Sequence, residues 1–473
     1  MLFRQIYDPK LAQYAYLIGC QQTKEALLID PERDIDRYVE IAEAEGLEIT
    51  AVTETHIHAD FLSGSREFAE QHGVKLYLSD EGDADWKYGW LEDGDYDATL
   101  LKDGDSFMIG KIEIKALHTP GHTPEHLSFL VIDHGGGAAE PIGIASGDFV
   151  FVGDLGRPDL LESAAGVVGA REPSAQRLYE SLPTFLDLPD FLQVWPAHGA
   201  GSACGKALGA VPMSTVGYER RFNAAIAVAS QGQASFVDAI LEGQPEPPIY
   251  FANMKRLNRD GVPILGGLPA PTRRTERELA ALAAGDDTVV VDARLDRQQF
   301  MHGHIKGSLY APFNKSFPTI VGSYVEPDQE ITLIIDEDDV EAAVRDLVRI
   351  GFDKVTGFVP PSALTEAEDL VSTPIIDFEA MERLADQAVV LDVRGAAEYA
   401  EGHVPEAINV AHTRLVPRFD EVPEDREVLV HCQTGARAAS ASALLERGGR
   451  KVRYVDGDFE AWQASRLTPA GAA

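Results

Sequence analysis

Two segments of this chain repeat one pattern, the first starting at Thr288 and the second at Ala388. Each copy reads as a β-branched strand that ends in an aspartate, Asp292 or Asp392, followed by a polar stretch and a Gly-His pair. A further apolar strand and a helical pattern follow in both copies. This alternation predicts two tandem α/β domains of about 100 residues each.

The chain before the repeats also alternates short strands with a helix, which predicts a layered α/β fold there. A stretch rich in proline and glycine, 245–274, is typical of a connector on a surface. We therefore predict three domains, spanning 1–258, 259–371 and 372–473.

Composition narrows the possible partners and the location. The chain has 473 residues and a formal net charge of -36, which argues against nucleic acid and anionic membranes as partners. The apolar runs are too short to span a bilayer, and the N-terminus lacks the pattern of a secretory signal, so we expect a cytoplasmic protein. Three cysteines spread over the chain favour reduced thiols.

Metal-ligating side chains follow several of the apolar strands. His56, His58 and Asp60 stand at every second position just past the strand "ITAVT". Imidazole and carboxylate suit zinc, iron or manganese. A single loop histidine is more often a surface residue than a ligand, but six further candidates also end strand-like runs: His118, His122, His126, Asp148, Asp154 and His198.

Together these motifs resemble the metallo-β-lactamase superfamily over residues 1 to about 230. The resemblance rests on the His-x-His-x-Asp run, "GHTP", a strand ending in "SGD", and "PAH". It implies an αββα sandwich, so the predicted fold class is α/β, with an N-terminal metallo-β-lactamase sandwich followed by the two tandem α/β domains. The superfamily's motif usually ends in Asp-His, and this histidine helps to hold a second metal. Phe61 stands there, which favours one metal over two.

The stretches "ETHIHADFLSG", "HTPGHTPEH" and "GDFVFVGDLGRPDL" resemble the persulfide dioxygenase branch. That resemblance implies one Fe(II) per chain, held by His56, His122 and Asp148, with His58, Asp60 and His198 orienting the ligands. Asp154 is the alternative to Asp148 and more simply a polar turn residue.

A second chemical feature is Cys432, which closes the strand "VLVH". The loop after it runs into a helix, so backbone N–H groups can point at the sulfur and stabilise a negative charge. The loop residues are Gln433, Thr434, Gly435, Ala436 and Arg437, the last adding positive charge. With Asp392-Val-Arg, "EYAEGHVPEAINV" and "VDGDFEAW", residues 376–473 closely resemble a rhodanese sulfurtransferase domain, so the two tandem α/β domains are predicted to be rhodanese-like.

In the first repeat the position of Cys432 is taken by Asp336, in an acidic loop. Such a loop can neither form a persulfide nor attract one, so this copy is predicted to be inactive and to act as a spacer or docking domain. His304 and His403 are predicted to hold turns.

The whole chain thus resembles a persulfide dioxygenase and rhodanese fusion. The resemblance implies oxidation of a small thiol persulfide, of glutathione or coenzyme A, by O2 to sulfite and thiol. Cys432 would pass sulfane sulfur to or from thiosulfate, and a homo-oligomer is expected. Cys204, six residues past His198, is either a sulfur relay or a small buried side chain. Cys20 is expected to pack.

Two other classes of function remain open. One is a zinc-dependent thioester hydrolase of the glyoxalase II type, which predicts two metals and a histidine at position 61. The other is a non-enzymatic sulfur carrier or sensor, for which removal of the metal would have no effect.

Overall fold

The computed structural model describes residues 1–164, 166–283, 285, 287–366 and 370–467. It forms two compact units. The first comprises Met1–Leu268 with Val348–Gly351, and the second comprises Pro269–Leu347 with Phe352–Ala473. None of the described helices has both the length and the apolar character needed to cross a membrane.

The first unit contains two six-stranded sheets. The first sheet runs in chain order through β1 (Leu2–Asp8), β2 (Gln13–Gly19), β3 (Glu25–Ile29), β4 (Glu48–Thr53), β5 (Lys75–Ser79) and β6 (Ala98–Leu101). The second sheet is built from β7 (Ser106–Ile109), β8 (Ile112–His118), β9 (Leu127–Asp133), β10 (Gly143–Gly147), β11 (Gln193–Pro196) and β12 (Ser214–Thr215).

The α-helices in the described part of this unit are α1 (Asp36–Ala44), α2 (Ser65–His72), α3 (Leu160–Ser163), α4 (Arg171–Leu186), α5 (Val216–Phe222), α6 (Ala224–Ala229), α7 (Gln233–Leu241) and α8 (Phe251–Asp260).

Side chains alternate between the faces of each strand, and this alternation sets the layers. On β2, Tyr16 and Ile18 pack with side chains of the second sheet, whereas Leu17 packs with residues of α1 and α2. The outer face of the second sheet packs against α4, α6 and α7. The order of layers is helix, sheet, sheet, helix, which confirms the predicted αββα sandwich.

The second unit contains two five-stranded sheets with the same strand order. In order across the sheet, the first has β13 (Thr272–Arg273), β18 (Val355–Val359), β17 (Glu330–Ile334), β14 (Thr288–Asp292) and β16 (Leu309–Tyr310). The other has β20 (Ile375–Ile376), β24 (Val452–Val455), β23 (Val428–His431), β21 (Val389–Asp392) and β22 (Ile408–Asn409). Every pairing in these sheets is parallel.

A small antiparallel pair joins β15 (His304–Ile305) to β19 (Leu370–Val371). The helices are α9 (Glu276–Ala283), α10 (Arg297–His302), α11 (Phe317–Tyr324), α12 (Val340–Arg349), α13 (Phe378–Leu384), α14 (Ala396–Glu401), α15 (Ala436–Arg447) and α16 (Phe459–Leu467). Each copy of the repeat thus forms a parallel sheet with accompanying helices, as predicted for two tandem α/β domains. The division at residues 258 and 371 stays a prediction.

One interpretation of the sequence was wrong. The segment 245–274 is not a simple connector, because α8 lies inside it. Phe251, Met254 and Asn258 are buried at helical spacing, so this face packs while the proline and glycine residues flank it.

Candidate metal centre and sulfur site

Three buried side chains converge beside the ends of two strands of the first unit. His56 follows β4, Asp148 follows β10, and His122 lies in the loop between β8 and β9. One possible ligand atom of each lies within 4.8 Å of those of the other two. The three side chains are almost completely buried. The structure therefore brings together the two imidazoles and one carboxylate that the sequence singled out.

Hydrogen bonds fix which nitrogen of each histidine faces the others. Thr55 donates its hydroxyl hydrogen to Asp30 Oδ2 at 2.8 Å, so His56 Nδ1 must donate to Thr55 Oγ1 at 2.9 Å. His122 Nδ1 donates to Arg157 O at 2.9 Å. In both rings Nε2 is left with its lone pair available.

The groups that face this centre have no hydrogen-bond partner among the described residues. These groups are His56 Nε2 and both carboxylate oxygens of Asp148, and the His122 Nε2 lies 3.4 Å from Asp148 Oδ2. Buried polar atoms in native proteins are almost always satisfied. The residues present therefore fit a metal cation held between them.

Burial sets the charges at this centre. It lowers the pKa of His56 well below its ordinary value and that of His122 to about 4, so both rings are neutral near pH 7. Burial raises the pKa of Asp148 to about 6, which still leaves the carboxylate ionised at neutral pH. Neutral imidazole and ionised carboxylate are the forms that bind a metal.

His58 differs from its neighbours. Its Nε2 lies 2.9 Å from Glu54 Oε2 and 3.2 Å from Asp30 Oδ1. Burial alone lowers the pKa of His58, but the two carboxylates outweigh it and raise the pKa well above its ordinary value. Its Nε2 therefore faces these two carboxylates, while its Nδ1 has no hydrogen-bond partner among the described residues.

A second group consists of Asp60, His198 and Cys204, whose possible ligand atoms lie within 4.8 Å of one another. His198 Nε2 is 3.2 Å from Asp60 Oδ2 and 3.5 Å from Asp148 Oδ1. Burial raises the pKa of Asp60 to about 6 and that of the Cys204 thiol well above its ordinary value, so the thiol is neutral. Phe61 is completely buried, its ring 4.2 Å from that of His58.

The remaining candidates bond to backbone groups. Asp154 accepts hydrogen bonds from the backbone N–H groups of Leu155 and Ala207, at 2.9 and 2.8 Å, and from that of Lys206 at 3.2 Å. It is a turn residue, as the alternative interpretation had it. His118 Nε2 donates to Pro124 O at 2.8 Å.

His126 binds the backbone of Asp148 and not its carboxylate. Its Nε2 accepts a hydrogen bond from the backbone N–H of Asp148 at 3.0 Å. Gly147 makes this approach possible, because it has a φ of 53° and a Cβ there would lie 2.5 Å from His126 Nε2. The glycine thus lets β10 end close to the histidine.

The sequence interpretation missed Asn258, on α8. Its Nδ2 donates to His58 O and Phe61 O at 2.8 Å each, and its Oδ1 accepts from Ser63 N at 2.9 Å. Asn258 therefore holds the loop 58–63, which lies just after His56. The apolar period of Phe251 and Met254 was the signal that could have revealed this helix.

The second unit contains the cysteine loop. Cys432 follows β23, and α15 begins at Ala436 after Gly435, which has a φ of 89°. The Cys432 Sγ accepts hydrogen bonds from Gly435 N at 3.2 Å and Ala438 N at 3.4 Å. Gln433 O accepts from Phe459 N at 2.9 Å. The backbone donors thus meet at the sulfur, as the sequence predicted.

Arg437, at the end of this loop, forms an ion pair with Glu398. Its guanidinium forms two hydrogen bonds with Glu398, Nη1 to Oε2 at 2.6 Å and Nη2 to Oε1 at 2.7 Å. This bidentate pair fixes the guanidinium geometry and offsets part of its charge.

The shared aspartate of the two repeats is structural. Asp392 pairs with Arg394, whose Nη2 also donates to Gly402 O at 2.7 Å. Asp292 and Arg294 form the same arrangement with Gly303. His304 and His403 each bond through Nδ1 to the carbonyl four residues earlier at 2.9 Å, in keeping with a turn-holding role. The predicted match of Asp336 to Cys432 was wrong by one residue: Ile334 pairs with Asp292 as His431 pairs with Asp392, so Ile335 stands at the position of Cys432. Asp336 follows it, before the acidic turn Glu337–Asp339.

Comparisons with known proteins identify both parts. The metallo-beta-lactamase superfamily model matches residues 8–198, and the rhodanese-like domain model matches residues 378–465. A crystal structure of a metallo-beta-lactamase from Staphylococcus aureus subsp. aureus COL is 40% identical, with a TM-score of 0.67. That match covers 76% of this chain and 99% of the other.

Two curated relatives match the first part of the chain. The mitochondrial persulfide dioxygenase ETHE1 of Bos taurus is 26% identical over 251 residues, which is 52% of this chain and 84% of the relative. A probable polyketide biosynthesis zinc-dependent hydrolase, BaeB, of Bacillus velezensis is 23% identical over 201 residues, 42% of this chain and 79% of the relative.

Proposed function

The chain belongs to the metallo-β-lactamase superfamily and carries a C-terminal rhodanese-like domain, and from this premise we propose that it is a persulfide dioxygenase coupled to a sulfurtransferase. The substrate is the persulfide of a small thiol, glutathione or coenzyme A. The overall oxidation is RSS⁻ + O2 + H2O → RS⁻ + SO3²⁻ + 2 H⁺, in which the outer sulfur loses four electrons to O2. The three unpaired cysteines favour a cytoplasmic location.

The observation that carries this proposal is the buried set of His56, His122 and Asp148. Two neutral imidazoles and one carboxylate are the ligand set of mononuclear iron sites that leave positions open for substrate and O2. Phe61, at the place of a usual second-metal histidine, favours a single ion. When bound, iron(II) supplies the one-electron chemistry through which O2 and a sulfur substrate can react.

The neighbouring side chains hold the loop and its protons. His58 stays protonated between Glu54 and Asp30 and so orders the metal-binding loop. His198 Nδ1 donates to Ala12 O, and burial lowers the pKa of this ring, so its Nε2, 3.2 Å from Asp60 Oδ2, is free of a proton and can take one up beside the site. The buried neutral thiol of Cys204 lines the same side and can contact the outer sulfur of the substrate.

At the second site, Cys432 exchanges sulfane sulfur. The thiolate attacks the outer sulfur of thiosulfate, the S–S bond of thiosulfate breaks, and sulfite leaves as Cys432 becomes a persulfide. A thiolate RS⁻ then takes the outer sulfur, giving RSS⁻ and restoring Cys432. The reverse sequence makes thiosulfate from sulfite. The N–H groups of Gly435 and Ala438 stabilise the charge on the cysteine sulfur in either direction.

Oxygen uptake tests the first activity. Fe(II)-loaded protein is mixed with glutathione persulfide and, separately, with coenzyme A persulfide, and O2 consumption and sulfite are measured against a zinc-loaded control. We expect uptake with iron only, and one sulfite or thiosulfate for each O2 consumed. Absence of uptake with both persulfides would contradict the proposal.

One observation favours a second candidate, a zinc-dependent thioester hydrolase. Asp60, His198 and Cys204 form a second potential ligand set. A hydrolase of this kind would bind two zinc ions per chain and cleave a glutathione thioester without O2. Metal content after zinc loading, together with thioester cleavage measured under argon, distinguishes the two functions.

A further inference from the structure

One side chain of the cysteine-free repeat, Arg297, contacts the loop that carries Cys432, and its neighbour Gln298 contacts Asp456 beside that loop; all of these residues lie within the second unit. Arg297, the first residue of α10, donates from Nη2 to Thr434 O at 3.1 Å, although the two residues are 137 positions apart in the chain. The same Nη2 lies 3.1 Å from Asp456 Oδ1. Gln298 donates to the other carboxylate oxygen of Asp456.

Asp456 links Arg297 and Gln298 to Gly435 of the cysteine loop. Its Oδ1 also accepts a hydrogen bond from the Tyr454 hydroxyl at 2.7 Å. Gly435 packs directly on the same group, because a Cβ added at Gly435 would lie 2.5 Å from Asp456 Oδ1 and 3.4 Å from Arg297 Nε. The Gly435 backbone therefore rests on the ion pair between Arg297 and Asp456.

Gly435 is also the residue whose backbone N–H faces the reacting sulfur, at 3.2 Å from Cys432 Sγ. A hydrogen-bond donor stabilises a developing charge only when it is already aimed at the atom that carries the charge. Without Arg297, Thr434 O would lose a charged donor, and the Asp456 carboxylate that packs against Gly435 would lose its cation.

From this geometry we propose that Arg297 is a positioning residue for sulfur transfer at Cys432, so that the cysteine-free repeat completes the sulfur site of the other repeat. This rests on the sulfur transfer proposed above. It gives the first repeat a more specific role than that of a spacer, because Arg297 acts through Thr434, Asp456 and Gly435 on the donor that faces the sulfur.

The test uses the full-length, Fe(II)-loaded chain with the variants Arg297→Ala and Arg297→Lys. Arg273→Ala is the matched control, since Arg273 lies in the same repeat and its exposed side chain pairs with Glu337. Three quantities are measured: kcat and KM for sulfur transfer from thiosulfate to glutathione, the pH dependence of Cys432 alkylation by iodoacetamide, and persulfide-dependent O2 uptake. Peptide mass spectrometry separates Cys432 from the other two cysteines.

For Arg297→Ala we expect kcat for sulfur transfer to fall about tenfold, the size expected for one lost charged hydrogen bond at a reacting site. The midpoint of the alkylation profile should move to higher pH, because the thiolate is less well stabilised. Arg297→Lys should recover part of both changes, and Arg273→Ala should change neither. O2 uptake should match that of the unmodified protein in all three variants.

An Arg297→Ala protein whose kcat and alkylation profile both stay within about twofold of the unmodified protein would overturn the inference, as would a lower kcat with an unchanged profile, which would indicate a general loss of stability. If the unmodified chain transfers no sulfur, the proposed sulfurtransferase activity is wrong. The alkylation profile still tests the role of Arg297 in that case.

Discussion

Asp148 and Asp154 both follow a glycine, yet their carboxylates meet different partners. Asp148 Oδ2 lies 3.4 Å from His122 Nε2 and Oδ1 lies 3.5 Å from His198 Nε2, and neither oxygen accepts a hydrogen bond from the described residues. Those of Asp154 are occupied by backbone N–H groups, including Leu155 and Ala207. A carboxylate that already accepts these bonds cannot turn to a metal without leaving buried donors unsatisfied.

We therefore predict that Asp148→Ala loses bound iron and Asp154→Ala keeps it. Removing a group that only orients a ligand already weakens metal binding about 10- to 100-fold, and loss of a ligand should exceed this. Iron per chain, measured by atomic absorption after desalting, decides the matter. Asp154→Ala should instead be less stable by about 1–3 kcal/mol, the cost of unsatisfied buried donors. Retained iron in Asp148→Ala would contradict the ligand set.

Helix α8 shows how an element distant in sequence supports the metal site. Asn258 is almost fully buried and bonds to two carbonyls of the loop that begins at His58. Neither carbonyl belongs to a strand pair among the described residues, so the side-chain amide of Asn258 supplies the hydrogen bonds that these buried groups need.

Asn258→Ala should lower the stability of the protein by about 1–3 kcal/mol, because it leaves two buried carbonyls unpaired. It should also weaken iron binding, since His56 lies just before the loop that Asn258 holds. Arg256→Ala, at an exposed position of the same helix, is the control and should have neither effect. Denaturant unfolding and iron titration are the measurements. Equal iron affinity in the two variants would show that Asn258 does not affect iron binding.

The stability of strand β23 should depend on pH, because His431 lies at its end and changes its protonation. Burial lowers the pKa of this histidine to about 4, below the ordinary value of 6.5. Between these two pH values the unfolded chain binds a proton at this histidine and the folded chain does not. The contribution of neutral His431 to the free energy of unfolding is therefore complete above pH 6.5 and is lost as the pH falls toward 4. The full effect is about 3 kcal/mol at most.

The ring of His431 lies 5.5 Å from that of Phe459. His431→Phe should reduce this pH dependence, because it removes the titrating group but keeps an aromatic ring at this position. Amide hydrogen exchange of peptides from β23 between pH 4.5 and 6.5, corrected for the intrinsic exchange rate, measures the local opening. The unmodified protein should open more at low pH than His431→Phe does. Identical pH dependence in both would show that His431 does not carry this linkage.

For the whole molecule, two separate sites predict two separable activities. The candidate metal set lies in the first unit and Cys432 in the second. Cys432→Ser should therefore abolish transfer to or from thiosulfate and leave persulfide-dependent O2 uptake unchanged, with the oxidised sulfur recovered as sulfite alone. Both activities are measured on one Fe(II)-loaded preparation, with Cys20→Ser as the control for thiol loss. Loss of O2 uptake in Cys432→Ser would show that the two sites are coupled.

Much of this arrangement could be predicted from local patterns. The repeat around Asp292 and Asp392 indicated two α/β domains, since a strand, a turn and a helix are specified by neighbouring residues. The loop from Cys432 to Arg437 likewise showed that backbone donors would meet at the sulfur, because a strand followed by a helix start leaves N–H groups free.

Contacts between distant residues could not be predicted in this way. The bond between Asn258 and His58 and the pair between Arg297 and Asp456 join segments far apart in the chain, and no period or spacing encodes which segment will lie opposite another. The partner of Arg437, Glu398, was missed for the same reason.

The sequence by itself determined the chemistry: which residues can bind a metal, which cysteine can carry sulfur, and which copy of the repeat lacks one. The tertiary structure decided how that chemistry is supported. It selected Asp148 over Asp154 to face the histidines, kept His58 charged between Glu54 and Asp30, and set Arg297 against the sulfur loop. The physical reason is that side-chain type is local, whereas charge state and orientation depend on burial and on neighbours that only folding brings together.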